Sequence, residues 1–413
     1  MKILWIINSV VLLPVADKLG IKRTNFGGWI QNMLEQVKCM DDIDLYIVTS
    51  APNIKDMYTD TIDDVSYYVL PQKGYNISVS SDMAKFVIDT IKPDLIHSEG
   101  SEREISNVFF KISETKKLVS LQGIINGYSL YQNGLLPVNE FMCSKKIYEF
   151  VFGLSLHFRK SILFNKRLNI ELDTLKRADY LVGRTYWDRA HSYFVNPEAK
   201  YYECNRILRD PFYEGTWSLN KCQKYSIFTG NGQTALKGVH NVIKAISLLK
   251  EEYKNIKLNI IGKIPNNYKS IIGYPGYIKS LIKDLKVEKY ISFLDLQDAN
   301  GMKEKLLKTH IYVLPSLIEN SPNTLGEAMM LGVPCVSAYT GGVSQMAKDE
   351  EEALFYRAND PILLAWQIKR IFDSDDLANM LSENAQKHAR ITHDKKGNAE
   401  ALINIYKDIL GEN

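Results

Sequence analysis

The stretch Ile311-Tyr-Val-Leu314-Pro-Ser-Leu-Ile-Glu319-Asn-Ser321-Pro322-Asn323-Thr324-Leu325-Gly-Glu327-Ala-Met329-Met-Leu-Gly332-Val-Pro334-Cys335-Val-Ser337 decides the fold. Ile311–Leu314 is an unbroken apolar run, as in a strand buried on both faces. A polar loop follows. Ser321 suits a helix N-cap and Pro322 the first helical position. Leu325, Ala328 and Met329 then make one buried stripe, Gly332 fits the position just past the helix end, and Pro334 blocks continuation. A strand therefore feeds a loop, the loop a helix, and the helix another strand at Cys335–Ala338. The helix start is an anion site by construction, since unsatisfied N–H donors and the macrodipole both favour negative charge. Glu319 lies in the loop and Glu327 about one turn inside the helix, so two carboxylates can flank one ligand.

The same alternation extends over nearly the whole chain, which is the mark of βαβ units and parallel sheets. Lys2–Ile7 reads as a buried first strand. The uncharged run Ile3–Ala16 also has the outline of a signal peptide, but it is too short for a span of about 20 residues, and no other strand opens the α/β pattern that follows. Further strands are expected at Leu45–Thr49, Ser66–Leu70, Leu95–His97, Lys117–Leu121, Tyr180–Gly183, Tyr225–Thr229, Lys257–Ile261 and Ile291–Leu294. Helices are expected at Trp29–Lys38, Val239–Lys250, Ile278–Leu285, Met302–Lys308 and Thr324–Leu331, and two more after Pro361 and from Gly397 to Leu410. Asp210–Gln223 interrupts the pattern. The expected class is α/β: two Rossmann-like β/α/β domains facing across a cleft, residues 1–212 and 213–390, then a carboxyl-terminal helical segment, 391–413, that can cross back onto the first domain. Ligands are expected at the carboxyl ends of the strands.

Composition narrows the classes. The 413 residues are 45% hydrophobic and 24% charged, which excludes a disordered chain and a polytopic membrane protein. Lys and Arg number 51 against 48 Asp and Glu, a net +3, so no strong field recruits nucleic acid. Five cysteines without a C-x-x-C pair argue against a disulfide scaffold or structural zinc and suit a reducing cytoplasm. Seven scattered histidines give no ligand spacing, so no metal site is expected.

The string Glu319-x7-Glu327-Ala-Met-x-x-Gly-x-Pro, following Leu314-Pro-Ser, resembles the signature of glycosyltransferase family 4, retaining enzymes of the GT-B fold. Thr340-Gly341-Gly342-Val343 is similar to the family's Gly-Gly loop, and Lys237-Gly238 to its phosphate-binding lysine. Gly27-Gly28-Trp29 looks like its first glycine-rich loop, and Ile260-Ile261-Gly262-Lys263 like the turn below the nucleotide base. Gly183-Arg184-Thr185-x-Trp187-Asp188-Arg189-Ala190 resembles a string in some bacterial members. The resemblance implies transfer of a sugar from a nucleotide-diphosphate donor, a co-substrate, to an acceptor hydroxyl, with no metal or other cofactor. It implies that Lys237 and the helix start at Asn323, Thr324 and Leu325 hold the diphosphate. Glu327 would take the ribose hydroxyls, and Glu319 and the Gly341-Gly342 amides the transferred sugar. Gly27, Gly28, Gln122, Arg184 and His97 would lie near the substrates.

Two departures stand out. Many members carry an Arg shortly before the lysine, where this chain has Gly230-Asn231-Gly232; Arg184 and Arg206 are the candidate replacements. Many also carry a His where Val119-Ser-Leu-Gln122-Gly123 stands, and Gln122 cannot act as a base. His97 is left with either ligand contact or a structural role. Each fragment also has a plain reading: solvated carboxylates at a helix start, a flexible glycine turn, a surface lysine, an ion-paired Arg184. Asp42-x-Asp44 reads as a solvated turn. A glycoside hydrolase with two carboxylates, a nucleotide-sugar epimerase and a degenerate GT-B binding subunit are the competing readings.

The acceptor is expected to be a carbohydrate or a lipid-linked sugar, as in surface-polysaccharide assembly. Phe141–Lys176 mingles aromatic and basic residues, with six basic side chains against Glu149 between Cys143 and Arg167, a net +5. Such a stretch can lie on an anionic membrane surface, here the inner face, or pack as an amphipathic helix on the first domain.

Overall fold

The computed structural model describes residues 1–23, 28–40, 42–74, 77–137, 147–230, 232–262 and 273–411; between 147 and 160, Phe158 is the one side chain described. The chain divides into two compact units. One comprises Met1–Gly127, Leu163–Leu208 and His393–Asn413, the other Tyr128–Ile162 and Arg209–Thr392.

The first unit is built on eight strands, β1 (Lys2–Ile7), β2 (Asp44–Ala51), β3 (Tyr58–Ile62), β4 (Val65–Pro71), β5 (Leu95–Glu99), β6 (Lys116–Ser120), β7 (Tyr180–Gly183) and β8 (Lys200–Glu203). Their order across the sheet is β3-β4-β2-β1-β5-β6-β7-β8. All pairs are parallel except β3 with β4. That antiparallel pair turns through Asp63 and Asp64 at φ 48° and 62°, the two positive values that a type I′ hairpin requires. Central strands β1 and β5 are closed to solvent apart from Lys2 because helices cover both faces; β1 is otherwise apolar, while β5 buries His97, Ser98 and Glu99.

The second unit holds β9 (Gln223–Thr229), β10 (Lys257–Ile261), β11 (Ile291–Leu294), β12 (Thr309–Leu314), β13 (Cys335–Tyr339) and β14 (Leu354–Arg357), in the order β11-β10-β9-β12-β13-β14, all parallel. This is the doubly wound order, reversing between β9 and β12. In the first sheet the reversal lies between β1 and β5. The α/β class with two Rossmann-like units is the class the sequence leads one to expect.

Local differences have physical reasons. The helix after β12 runs Asn323–Met330, with Pro322 at its N-cap in extended geometry (ψ 121°) and giving no side-chain cap. Ser321 is therefore one residue too early to cap, and its buried Oγ has no hydrogen-bond partner. Gly332 does take φ +75° just past the helix end. The last helix, Lys395–Leu410, belongs to the first unit and packs on the helix Gly28–Val37. Its Tyr406 hydroxyl accepts from Trp5 Nε1 at 2.8 Å. A helix spans Ile147–Lys176, but most side chains of the basic aromatic stretch lie outside the described residues. Among the described residues no helix is long and apolar enough to cross a membrane.

Candidate functional site

In the second unit, the loops after β9 and β12 flank the point where strand order reverses. After β9 the chain makes a 3-10 turn, Ala235–Lys237, passes Gly238 at φ +66°, and enters the helix Val239–Leu249. A Cβ on Gly238 would stand 1.9 Å from the carbonyl oxygen of Pro315, so the two loops touch at a spacing that only glycine permits. Leu317 N–H donates to Leu236 O at 2.9 Å and fastens them. This contact delivers Lys237 to Glu319: Nζ donates to Oε1 in an ion pair whose side chains are 32% and 10% exposed.

The Gly-Gly loop closes on the same point. Thr340 Oγ1 donates to Leu317 O at 2.6 Å, and Gly342 N–H to Glu319 O at 3.0 Å. Gly341, at φ +50°, would place a Cβ 1.9 Å from Glu319 O. Lys237, Glu319, Gly341 and Gly342 thus form one cluster in the second unit.

Glu327 is 1% exposed and lies in a bidentate fork with Arg209, Nε to Oε1 and Nη2 to Oε2, both 2.7 Å. Burial pushes its carboxyl above the ordinary range, while the hydrogen bonds and charge of Arg209 pull it back. Tyr312 of β12 ties the two carboxylates to one neighbourhood: its phenol is pushed up chiefly by burial and further by the charges of Glu319 and Glu327. Its hydroxyl donates to Thr324 Oγ1 at 2.9 Å. Asn323, Thr324 and Leu325 form the first turn of an eight-residue helix that no N-cap side chain covers. Arg209 has no place in the sequence reading. It lies 118 positions before Glu327, and no local spacing connects the two.

The remaining predicted residues belong to the first unit: His97 lies within β5, Gln122 just after β6, Arg184 just after β7, Arg206 after β8 and Gly28 on the helix that precedes β2. His97 is closed to solvent, with Nδ1 2.6 Å from Tyr406 OH and Nε2 2.7 Å from Ser120 Oγ. Burial depresses it to about 4, so its ring is neutral near neutral pH. Of the two roles the sequence leaves open, this network supports the structural one. Gln122 Nε2 donates to Glu99 O at 2.8 Å, and Arg184 Nη2 to Leu121 O at 3.1 Å. Arg206 is buried against Glu99 at 3.0 Å and stacks 3.6 Å from the Trp29 ring centroid. Glu99 falls below its ordinary range: burial opposes ionisation, and Arg206 and His97 outweigh it. Arg206 is thus committed within its own unit. Gly28 begins the helix Gly28–Val37, and Gly27 lies outside the described residues. Among the described residues no group of three or more His, Cys, Asp or Glu is placed to hold a metal ion.

Residues 212–388 match the family described as Glycosyl transferases group 1, a stretch of less than half the chain. The D-inositol 3-phosphate glycosyltransferase of Corynebacterium efficiens is 28% identical over 169 residues, 40% of this chain and 39% of that protein. The matched stretches span less than half the length of the first curated relatives. Among solved structures, sucrose-phosphate synthase from Thermosynechococcus elongatus has a TM-score of 0.73 at 16% identity, covering all of both chains. HepE from Anabaena, in complex with UDP, has a TM-score of 0.68 at 14% identity, covering 99% of this chain and 100% of its own. The structural likenesses give the GT-B fold.

Proposed function

We propose that this chain is a retaining, metal-independent glycosyltransferase of family 4 that moves a sugar from a nucleotide-diphosphate sugar to an acceptor hydroxyl. The supporting observation is the Lys237–Glu319 pair, formed by the loops that follow the two strands flanking the reversal of sheet order. The chemical difficulty is departure of a diphosphate with concentrated negative charge. Lys237 exchanges Glu319 for a phosphate oxygen, the uncapped amides at Asn323 and Thr324 take another, and Glu319 is released to a hydroxyl of the sugar. Preorganised donors of this kind are worth about 3 kcal/mol each in a transition state. Glu327 accepts the ribose hydroxyls. The bond from the anomeric carbon to the leaving phosphate oxygen breaks, the acceptor oxygen bonds that carbon on the same face, and its proton passes to the departing phosphate.

The acceptor proposed is a carbohydrate or lipid-linked sugar in polysaccharide or glycoconjugate assembly, with the protein in the cytoplasm and peripheral on the inner membrane face. The +5 stretch from Cys143 to Arg167 supports the membrane part. The test is incubation with UDP-, GDP- and ADP-sugars and lipid-linked acceptors in EDTA, with the product's anomeric configuration read by NMR. Release of nucleoside diphosphate with a retained linkage supports the reading. An inverted linkage, or turnover abolished by the chelator, contradicts retention or metal independence respectively. Conversion of the donor without any acceptor favours an epimerase. Failure to co-sediment with anionic vesicles at low salt removes the membrane part.

A further inference from the structure

We propose that Arg209 is a positioning residue of the donor site, fixing the Glu327 carboxylate so that it can accept from the hydroxyls of the donor ribose. The inference rests on the reading of Glu327 as the ribose-binding group. The fork uses one acceptor position on each carboxylate oxygen, at 2.7 Å and 2.7 Å. A carboxylate oxygen has about two such positions, so each keeps one with which to accept from a ribose hydroxyl. The parallel geometry also fixes the plane of the carboxylate, which a lysine cannot do.

Burial makes this arrangement necessary. Glu327 is almost wholly closed to solvent, and a lone carboxylate there would be costly as an anion and would tend to take up a proton. A protonated Glu327 would lose one acceptor position to its own hydrogen. Arg209, with an 18% exposed side chain, supplies the compensating charge. It is itself held. Its guanidinium lies 4.9 Å from the ring centroid of buried Phe212. Trp217, a few residues on, donates from its amide to Leu331 O and from Nε1 to Thr309 O, both 2.7 Å. The segment carrying Arg209 is thereby anchored to the end of the Glu327 helix and to the start of β12.

The test is calorimetric titration of the full chain with whichever of UDP, GDP or ADP it binds, and with the 2′,3′-dideoxy analogue of that nucleotide. Loss of hydrogen bonds to a charged group predicts that Arg209→Gln weakens the ribonucleotide about 10- to 100-fold. The dideoxy analogue, already bound weakly, should change less than about twofold on the same scale. Arg209→Lys, which keeps the charge and loses the fork, should share most of the loss, and it serves as the readout should Arg209→Gln fail to fold. Equal losses for both ligands, or none for either, overturn the proposal. A wild-type chain that binds no nucleoside diphosphate, or binds both forms equally, overturns instead the reading of Glu327 on which it stands, and the proposal with it.

Discussion

Alanine at Gly341 tests whether the Gly-Gly loop holds Glu319 in place. The added Cβ would stand 1.9 Å from Glu319 O, about 1.5 Å short of ordinary van der Waals contact. The obstacle is backbone, so it cannot rotate away. The Glu319 carbonyl must move, which breaks its 3.0 Å bond from Gly342 N–H and turns the side chain from Lys237. The left-handed φ of +50° adds a cost of about 1 kcal/mol for any residue with a Cβ. The lost hydrogen bond adds about 1 kcal/mol and the forced displacement about 1–3 kcal/mol, for a total of about 3–5 kcal/mol. Gly215→Ala is the control, in the same unit. It has φ +96° with only Leu307 Cδ1 near, at 3.5 Å, so it carries the backbone cost without the collision. The difference of about 2 kcal/mol or more corresponds to roughly 4–8 °C in the melting temperature of a unit this size. Scanning calorimetry reads that shift, and titration with nucleoside diphosphate should show lost binding in Gly341→Ala alone. Equal melting and equal binding in the two variants would refute the argument that this contact places Glu319.

Other outcomes follow from the buried titratable groups and the site. His97 is depressed from 6.5 to about 4, so the folded state resists a proton that the unfolded chain accepts. Its contribution is present above pH 6.5 and declines as pH falls toward 4, by on the order of 3 kcal/mol. In urea titrations the stability gap between wild type and His97→Asn should narrow over that window; a constant gap would contradict the buried neutral ring. Glu171, which accepts from the Ile125 and Asn126 amides at 2.9 and 3.0 Å, is raised by burial to about 7. Its sign is opposite: the contribution is full below pH 4.5 and declines as pH rises through 7, so Glu171→Gln should flatten that decline. Glu327→Ala should keep its fold by circular dichroism yet lose donor-dependent turnover, and a wild-type rate would remove it from the site.

The strands that frame the switch points were legible because burial on both faces writes them as apolar runs, as in Ile311–Leu314. Of the edge strands, β11 was legible at Ile291–Leu294, whereas β3, β8 and β14 were not. β3 (Tyr-Thr-Asp-Thr-Ile) carries three polar residues in a row, and its hairpin uses Asp63-Asp64 where Asn-Gly would be the recognisable signal. β8 is short and half exposed. The cluster of Lys237, Glu319, Gly341 and Gly342 was legible because its residues fall in three short strings, each shaped by one βα loop. The Arg209 fork and the His97–Tyr406 bond join positions 118 and 309 apart, and such pairs leave no local pattern. Ser321 and Pro322 carried good capping chemistry, but the chain enters the helix one residue later, and a shift of one residue suffices to remove a cap.

The proposed transfer requires that Lys237 and the open helix start hold a diphosphate without a divalent ion. Calorimetric titration of nucleoside diphosphate into wild type and Lys237→Ala, both in EDTA and both checked for unchanged melting, measures this directly. Binding by wild type and a loss of about tenfold or more in the variant is the predicted result. Equal affinity in the two, or wild-type binding that appears only when magnesium or manganese is restored, would contradict it.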